Sequence, residues 1–109
     1  MEIPNLLYIK ELSGGDISFE ESIITILKKE FPEEVLLFSE NFKNKNYTET
    51  ANNVHKIKHK ISILGLEKGL EKGLELASKF EMELKKEQTG LYEQFVNILN
   101  KIHVYLEDK

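Results

Sequence analysis

At 109 residues, with no cysteine and a formal net charge of −4, the chain is sized for one domain over 1–109 and has no disulfide framework or thiolate nucleophile. The acidic balance disfavours nucleic acid as a partner, because a phosphate backbone demands clustered positive charge; all 15 cationic residues are lysine, which meets phosphate as a point charge and not as a bidentate fork. No apolar run approaches the roughly 18 residues of a spanning helix, and Met1-Glu2-Ile3-Pro4 is unlike the opening of a signal peptide, so the expectation is a soluble, cytoplasmic chain that does not enter a membrane.

The dominant period is helical, and no stretch alternates as a strand does. The spacing predicts a short first helix over Leu6 to Leu12, stopped by Ser13-Gly14-Gly15. A second helix opens on Ser18, with Glu21 three residues later as a capping box, buries Phe19, Ile23, Ile26 and Leu27, and ends before Pro32. Pro32-Glu33-Glu34 suits the first turn of a third segment. Its apolar face is Val35, Phe38 and Phe42, which leaves at least one of Leu36 and Leu37 off the core. After the polar connection Lys43-Asn44-Lys45-Asn46, a further helix starts at Tyr47 or Thr48 and runs to a break at Gly65.

From Leu66 to about Lys86, the residues Leu66, Leu70, Leu74, Ala77, Phe80 and Leu84 fall on a narrow arc. Leu-Glu-Lys-Gly occurs twice in succession here, and a four-residue repeat rotates a helix only about 40° past a full turn, so the stripe survives it. Gly69 and Gly73 each cost up to about 1 kcal/mol relative to alanine in a helix; they either admit a close backbone or loosen the start of this one. After Thr89-Gly90 a last helix carries Leu91, Phe95, Ile98, Leu99, Ile102 and Leu106, with His103 at the edge of its stripe as an inert histidine. The aromatic residues, Phe19 among them, belong to a core and not to a cofactor site. The sum is an all-α chain, an antiparallel four-helix bundle with a short additional N-terminal helix.

Candidate chemistry concentrates in Val54-His55-Lys56-Ile57-Lys58-His59-Lys60-Ile61-Ser62-Ile63-Leu64. At about 100° per residue, counting from His55, the apolar Val54, Ile57, Ile61 and Leu64 fall between roughly 180° and 260° and form the buried stripe. Lys58, His59 and Ser62 fall between roughly −60° and +40°, on the solvent face with His55. Lys56, Lys58 and Lys60 make the one local excess of positive charge in an acidic chain. A neutral imidazole is a good nucleophile near neutral pH and passes on a phosphoryl group readily. Lys58, one turn along, can neutralise the charge of phosphoryl oxygens, and small Ser62 leaves room for an approaching partner.

These residues resemble the histidine-containing phosphotransfer (HPt) family. Its pattern of histidine, any residue, an aliphatic, lysine, usually glycine, and a further glycine ten residues after the histidine meets His55, Ile57, Lys58, His59 in place of the first glycine, and Gly65. Tyr8 to Asp16 looks like the family's opening helix and turn, Phe31-Pro32-Glu33 like its usual helix junction, and Leu74 to Glu81 like its following helix. The resemblance implies a monomeric phosphocarrier, not an enzyme with an ATP site of its own, that takes a phosphoryl group from the aspartate of one receiver domain and gives it to another. The receivers are those of response regulators and of a hybrid histidine kinase. His55 is then the phosphoacceptor, Lys58 its electrostatic support and His59 a modulator that could bind the phosphoryl group, tune His55 or accept phosphate itself. Leu37, Ser62 and Gly65 would lie on the docking surface, and the magnesium ion would be the receiver's, this chain having no cofactor. Ser13-Gly14-Gly15 lacks the spacing and lysine of a P-loop, and Lys56 stands where a kinase's phosphoacceptor helix usually has an acidic residue.

Two other readings compete. The face around His55 could dock a receiver without phosphotransfer, or His55 and His59, at i and i+4, could form a helical metal pair. Against the pair, no carboxylate of that helix joins them on their face, and the lysines oppose a divalent cation.

Overall fold

A computed structural model describes residues 4–64 and 72–109; the predicted roles of Gly65, Leu66, Gly69 and Leu70 lie outside the described residues. The described chain forms the helices α1 (Leu7–Ser13), α2 (Ile17–Lys43), α3 (Tyr47–Ile63), α4 (Lys72–Lys85) and α5 (Tyr92–Glu107), with no strand among the described residues.

The predicted break before Pro32 does not occur, for α2 runs through it as one helix of 27 residues. Proline removes one N–H and crowds the preceding turn. Here it stands at an exposed position, and the carbonyl it leaves without a partner belongs to exposed Lys28, where water can serve it. The start also differs, because Asp16, and not Ser18, caps α2. Asp16 is extended, and its side chain accepts a hydrogen bond from the Phe19 N–H at 3.1 Å, filling the N-cap role two residues earlier. A single phase across Pro32 then decides which side chains go inside. Counting from Phe31, the residues Leu27, Phe38 and Phe42 lie within about 40°, whereas Phe19 and Ile26 lie about 120° and 140° away. Phe31 and Phe38 are buried accordingly, and Phe19 and Ile26, expected in the core, are exposed. Leu36 and Leu37 are both off the core.

The helix ends show why the connections are short. After α2, the Lys45 N–H donates to the Phe42 carbonyl and the Asn46 N–H to the Asn41 carbonyl. After α4, Glu87 and Gln88 repeat the pattern onto Leu84 and Glu83. Both are Schellman closures whose left-handed residue, Lys45 (φ 58°) or Glu87 (φ 59°), is not glycine. At the end of α1 the same conformation falls to Gly14.

The core is centred on α3, which packs against α2 and α4, while α5 packs against both of those helices. Val54, Ile57, Ile61 and Leu64 are fully buried, as the period predicts. Around Phe38 the rings of Phe80, Tyr92 and Phe95 stand 5.3–6.2 Å away, within the range of favourable edge and offset contacts. Polar ties fix the register of α3. Asn41 Nδ2 donates to Asn53 Oδ1 at 2.7 Å between α2 and α3, and the Asn5 N–H donates to the Leu64 carbonyl at 2.8 Å.

Candidate functional site

Burial of the α3 stripe forces His55 outward, and its side chain is 55% exposed. The neighbouring helix brings a residue that the sequence reading did not single out. Glu81 of α4 places Oε1 at 3.3 Å from His55 Nδ1 and 3.2 Å from Lys58 Nζ, and Oε2 at 3.4 Å from Lys85 Nζ. The Glu81 side chain is only 12% exposed. It lies one turn after Ala77 and one before Leu84, both in the core, so it sits at the edge of the α4 stripe.

Burial pushes the Glu81 carboxyl toward the neutral form, but the bonds from Lys58 and then from His55 outweigh it and leave its pKa below the ordinary 4.5. An ionised carboxylate only accepts hydrogen bonds. The bonded ring nitrogen, Nδ1, therefore carries the proton, and Nε2 holds the free lone pair. With Lys58 and Lys85 on one carboxylate, the cluster also keeps an excess of positive charge when the imidazole is neutral.

The sign of the Glu81 shift fixes a pH dependence. A carboxyl whose pKa is lowered by folding adds stability above its unfolded value, and that stability is lost as pH falls through the folded value. Urea denaturation is therefore expected to show stability falling below about pH 4.5, with a smaller fall in Glu81→Gln than in wild type.

The remaining predicted residues are placed as follows. His59 is exposed on the His55 face, with ring centroids 5.6 Å apart and planes at 88°. Ser62 is half-buried on that face, and Gly65 lies outside the described residues. Leu37 is 50% exposed and lines a cleft between α2 and α3 with Lys56 and His59. The basic run is divided by the packing. Lys60 turns away from His55 and is held by α2, with Nζ 2.7 Å from Glu34 and 3.2 Å from Glu30. Burial alone would lower the Lys60 pKa, but the two glutamates raise it above the ordinary value. Lys58 leans onto Glu81, so no free tri-lysine patch forms. His103 is on α5, paired with Glu107 at 2.6 Å on the surface.

Among the described residues, no group of three or more histidine, aspartate or glutamate side chains is arranged to hold a metal ion, and no helix is long and apolar enough to cross a membrane. No protein-family model, curated protein or solved structure matches the chain.

Proposed function

We propose that this chain is a histidine phosphotransfer carrier in a two-component phosphorelay, with α2 to α5 forming the antiparallel four-helix bundle of the HPt family and α1 its additional N-terminal helix. The observation that carries this reading is the pairing of exposed His55, through Nδ1, with Glu81, which leaves Nε2 as the nucleophilic nitrogen while Lys58 shares the same carboxylate oxygen.

The chemistry follows from the pairing. Nε2 attacks the phosphorus of an aspartyl phosphate on a docked receiver; the Nε2–P bond forms, the acyl P–O bond breaks, and the aspartate carboxylate leaves with the electron pair. No proton needs to move. The ring gains positive charge as it bonds phosphorus, and Glu81, already on Nδ1–H, compensates that charge. Lys58 has the reach to leave Glu81 for a phosphoryl oxygen, Lys85 remaining with the carboxylate. Reversal onto a second receiver's aspartate uses the same contacts. The chain acts as a cytoplasmic, monomeric carrier that draws on neither ATP nor a metal of its own, the magnesium ion being the receiver's.

Leu37, Ser62 and Gly65 belong to the docking surface in this reading, with Leu37 as an exposed apolar anchor on the side of His59. Leu37→Ser is expected to lower the transfer rate several-fold with an unchanged urea midpoint, since the side chain is half exposed. An unchanged rate removes Leu37 from the interface.

The reading is tested by offering the purified chain radiolabelled phospho-receivers and scoring acid-labile, alkali-stable label. Wild type and His59→Gln are expected to take label, and His55→Gln to take none. Label lost only in His59→Gln moves the acceptor by one turn. No label in wild type from a panel of receivers contradicts the carrier reading and leaves docking alone.

A further inference from the structure

Near His55 the structure brings in an ionisable group that the transfer step leaves unused. We propose that His59, as an imidazolium, is a second phosphoryl-binding residue, donating an N–H to a phosphoryl oxygen on His55 Nε2 and so making the carrier hold phosphate more tightly as pH falls. The inference rests on the carrier reading and adds its regulation.

The geometry supports it in three steps. First, Glu81 occupies His55 Nδ1, so a phosphoryl group must be carried on the opposite edge of the ring. Second, His59 is exposed and edge-to-face with that ring at a centroid separation of 5.6 Å. A tetrahedral phosphoryl group has oxygens about 1.5 Å from phosphorus, and a ring at that separation can meet one at hydrogen-bond distance. Third, Lys60 is engaged with Glu30 and Glu34, and Lys58, once it leaves Glu81, meets only part of a phosphoryl group of three oxygens. Lys56 lines the same cleft, at about 100° around α3 from His55 where His59 is at about 40°.

The charges around His59 are those of three helices. From α2, Glu30, Glu33 and Glu34 line the same cleft, two of them paired with Lys60; from α3 come His55, Lys56 and Lys60; from α4 comes Glu81, across His55. A phosphoryl dianion on His55 adds negative charge on the imidazolium side. Linkage then fixes the sign: phosphorylation raises the His59 pKa, the extra hold on phosphate is present when His59 is protonated, and it is lost as pH rises through the raised value. An exposed charge contact is worth about threefold in affinity, which equals about half a pH unit.

The test separates this inference from the carrier reading by using phosphoramidate, a small phosphodonor that charges histidine without a receiver. In the full chain phosphorylated on His55, proton NMR titration of the His59 ring is expected to show a pKa about half a unit above that of the unphosphorylated chain. A second arm follows the partition of phosphate between a phospho-receiver and the chain at pH 6 and pH 8. Wild type is expected to gain about threefold more phosphohistidine at the lower pH than His59→Gln does, and His59→Lys to hold that gain at both. A His59 titration unmoved by phosphate on His55, or label on His59 itself, overturns the inference. A moved titration together with receivers that never charge the chain keeps the contact and overturns the carrier reading alone.

Discussion

Replacing Glu81 with alanine is expected to lower the rate of phosphoryl acceptance by His55 about tenfold to a hundredfold, the range for losing the orientation of a nucleophile and the compensation of its developing charge. Glu81 touches Nδ1 at 3.3 Å and is nearly enclosed, so little water replaces it at its ordinary strength. Two losses are combined in the alanine variant, and a second substitution separates them. Glu81→Gln keeps an oxygen that can accept from Nδ1–H but removes the charge, so it is expected to retain the proton on Nδ1 and lose only the electrostatic part. A glutamine variant as slow as alanine assigns the effect to charge, and one near wild type assigns it to orientation. Rapid-quench transfer from a phospho-receiver reads all three, and an alanine variant at the wild-type rate removes Glu81 from the site.

Phe38→Ala is expected to cost about 3–5 kcal/mol in urea denaturation, the range for deleting a fully buried phenyl ring. Phe38 has no exposure and joins α2 to α4 through Phe80 and to α5 through Tyr92 and Phe95. The cavity left behind would be lined by rings whose positions depend on one another, so little relaxation can fill it. Against a total stability of about 5–15 kcal/mol for a domain of this kind, the loss is large enough to leave a measurable unfolded fraction. Phe19→Ala supplies the contrast. Both residues are phenylalanines of α2, but Phe19 is 45% exposed, and its loss is expected to cost less than about 1 kcal/mol. Equal costs would contradict the single helical phase across Pro32.

That phase marks where the sequence was readable and where it was not. The α3 stripe was legible because Val54, Ile57, Ile61 and Leu64 repeat at one helical period without interruption, and the outward position of His55, Lys58 and His59 follows from it. Pro32 misled for a physical reason. The rule that proline ends a helix concerns local hydrogen bonds, whereas Leu27, Phe31 and Phe38, buried on one face of α2, repay continuity across it. A break at Pro32 also gives the segment before it an arc of its own, through Phe19, Ile23, Ile26 and Leu27, and the continuous phase moves Phe19 and Ile26 off the core. The capping box at Ser18 was a plausible local signal overtaken by Asp16, which reaches the Phe19 N–H. Glu81 was hidden more deeply. Its position at the edge of the α4 stripe can be read from Ala77 and Leu84, but its meeting with His55, 26 residues away, depends on how α4 slides against α3. No period within either helix encodes that register. Lys60 shows the converse, since only the α2 glutamates beside it reveal that it is a packing residue and not part of an open basic patch.

If Glu81 holds the proton of His55 on Nδ1 and Nε2 accepts phosphate, the new bond has a spectroscopic signature of its own. Nitrogen-labelled chain charged by a phospho-receiver, examined by phosphorus–nitrogen correlation NMR, is predicted to show phosphorus coupled to Nε2 of His55, with a proton on Nδ1. Phosphorus on Nδ1 of His55, or on the ring of His59, would contradict it.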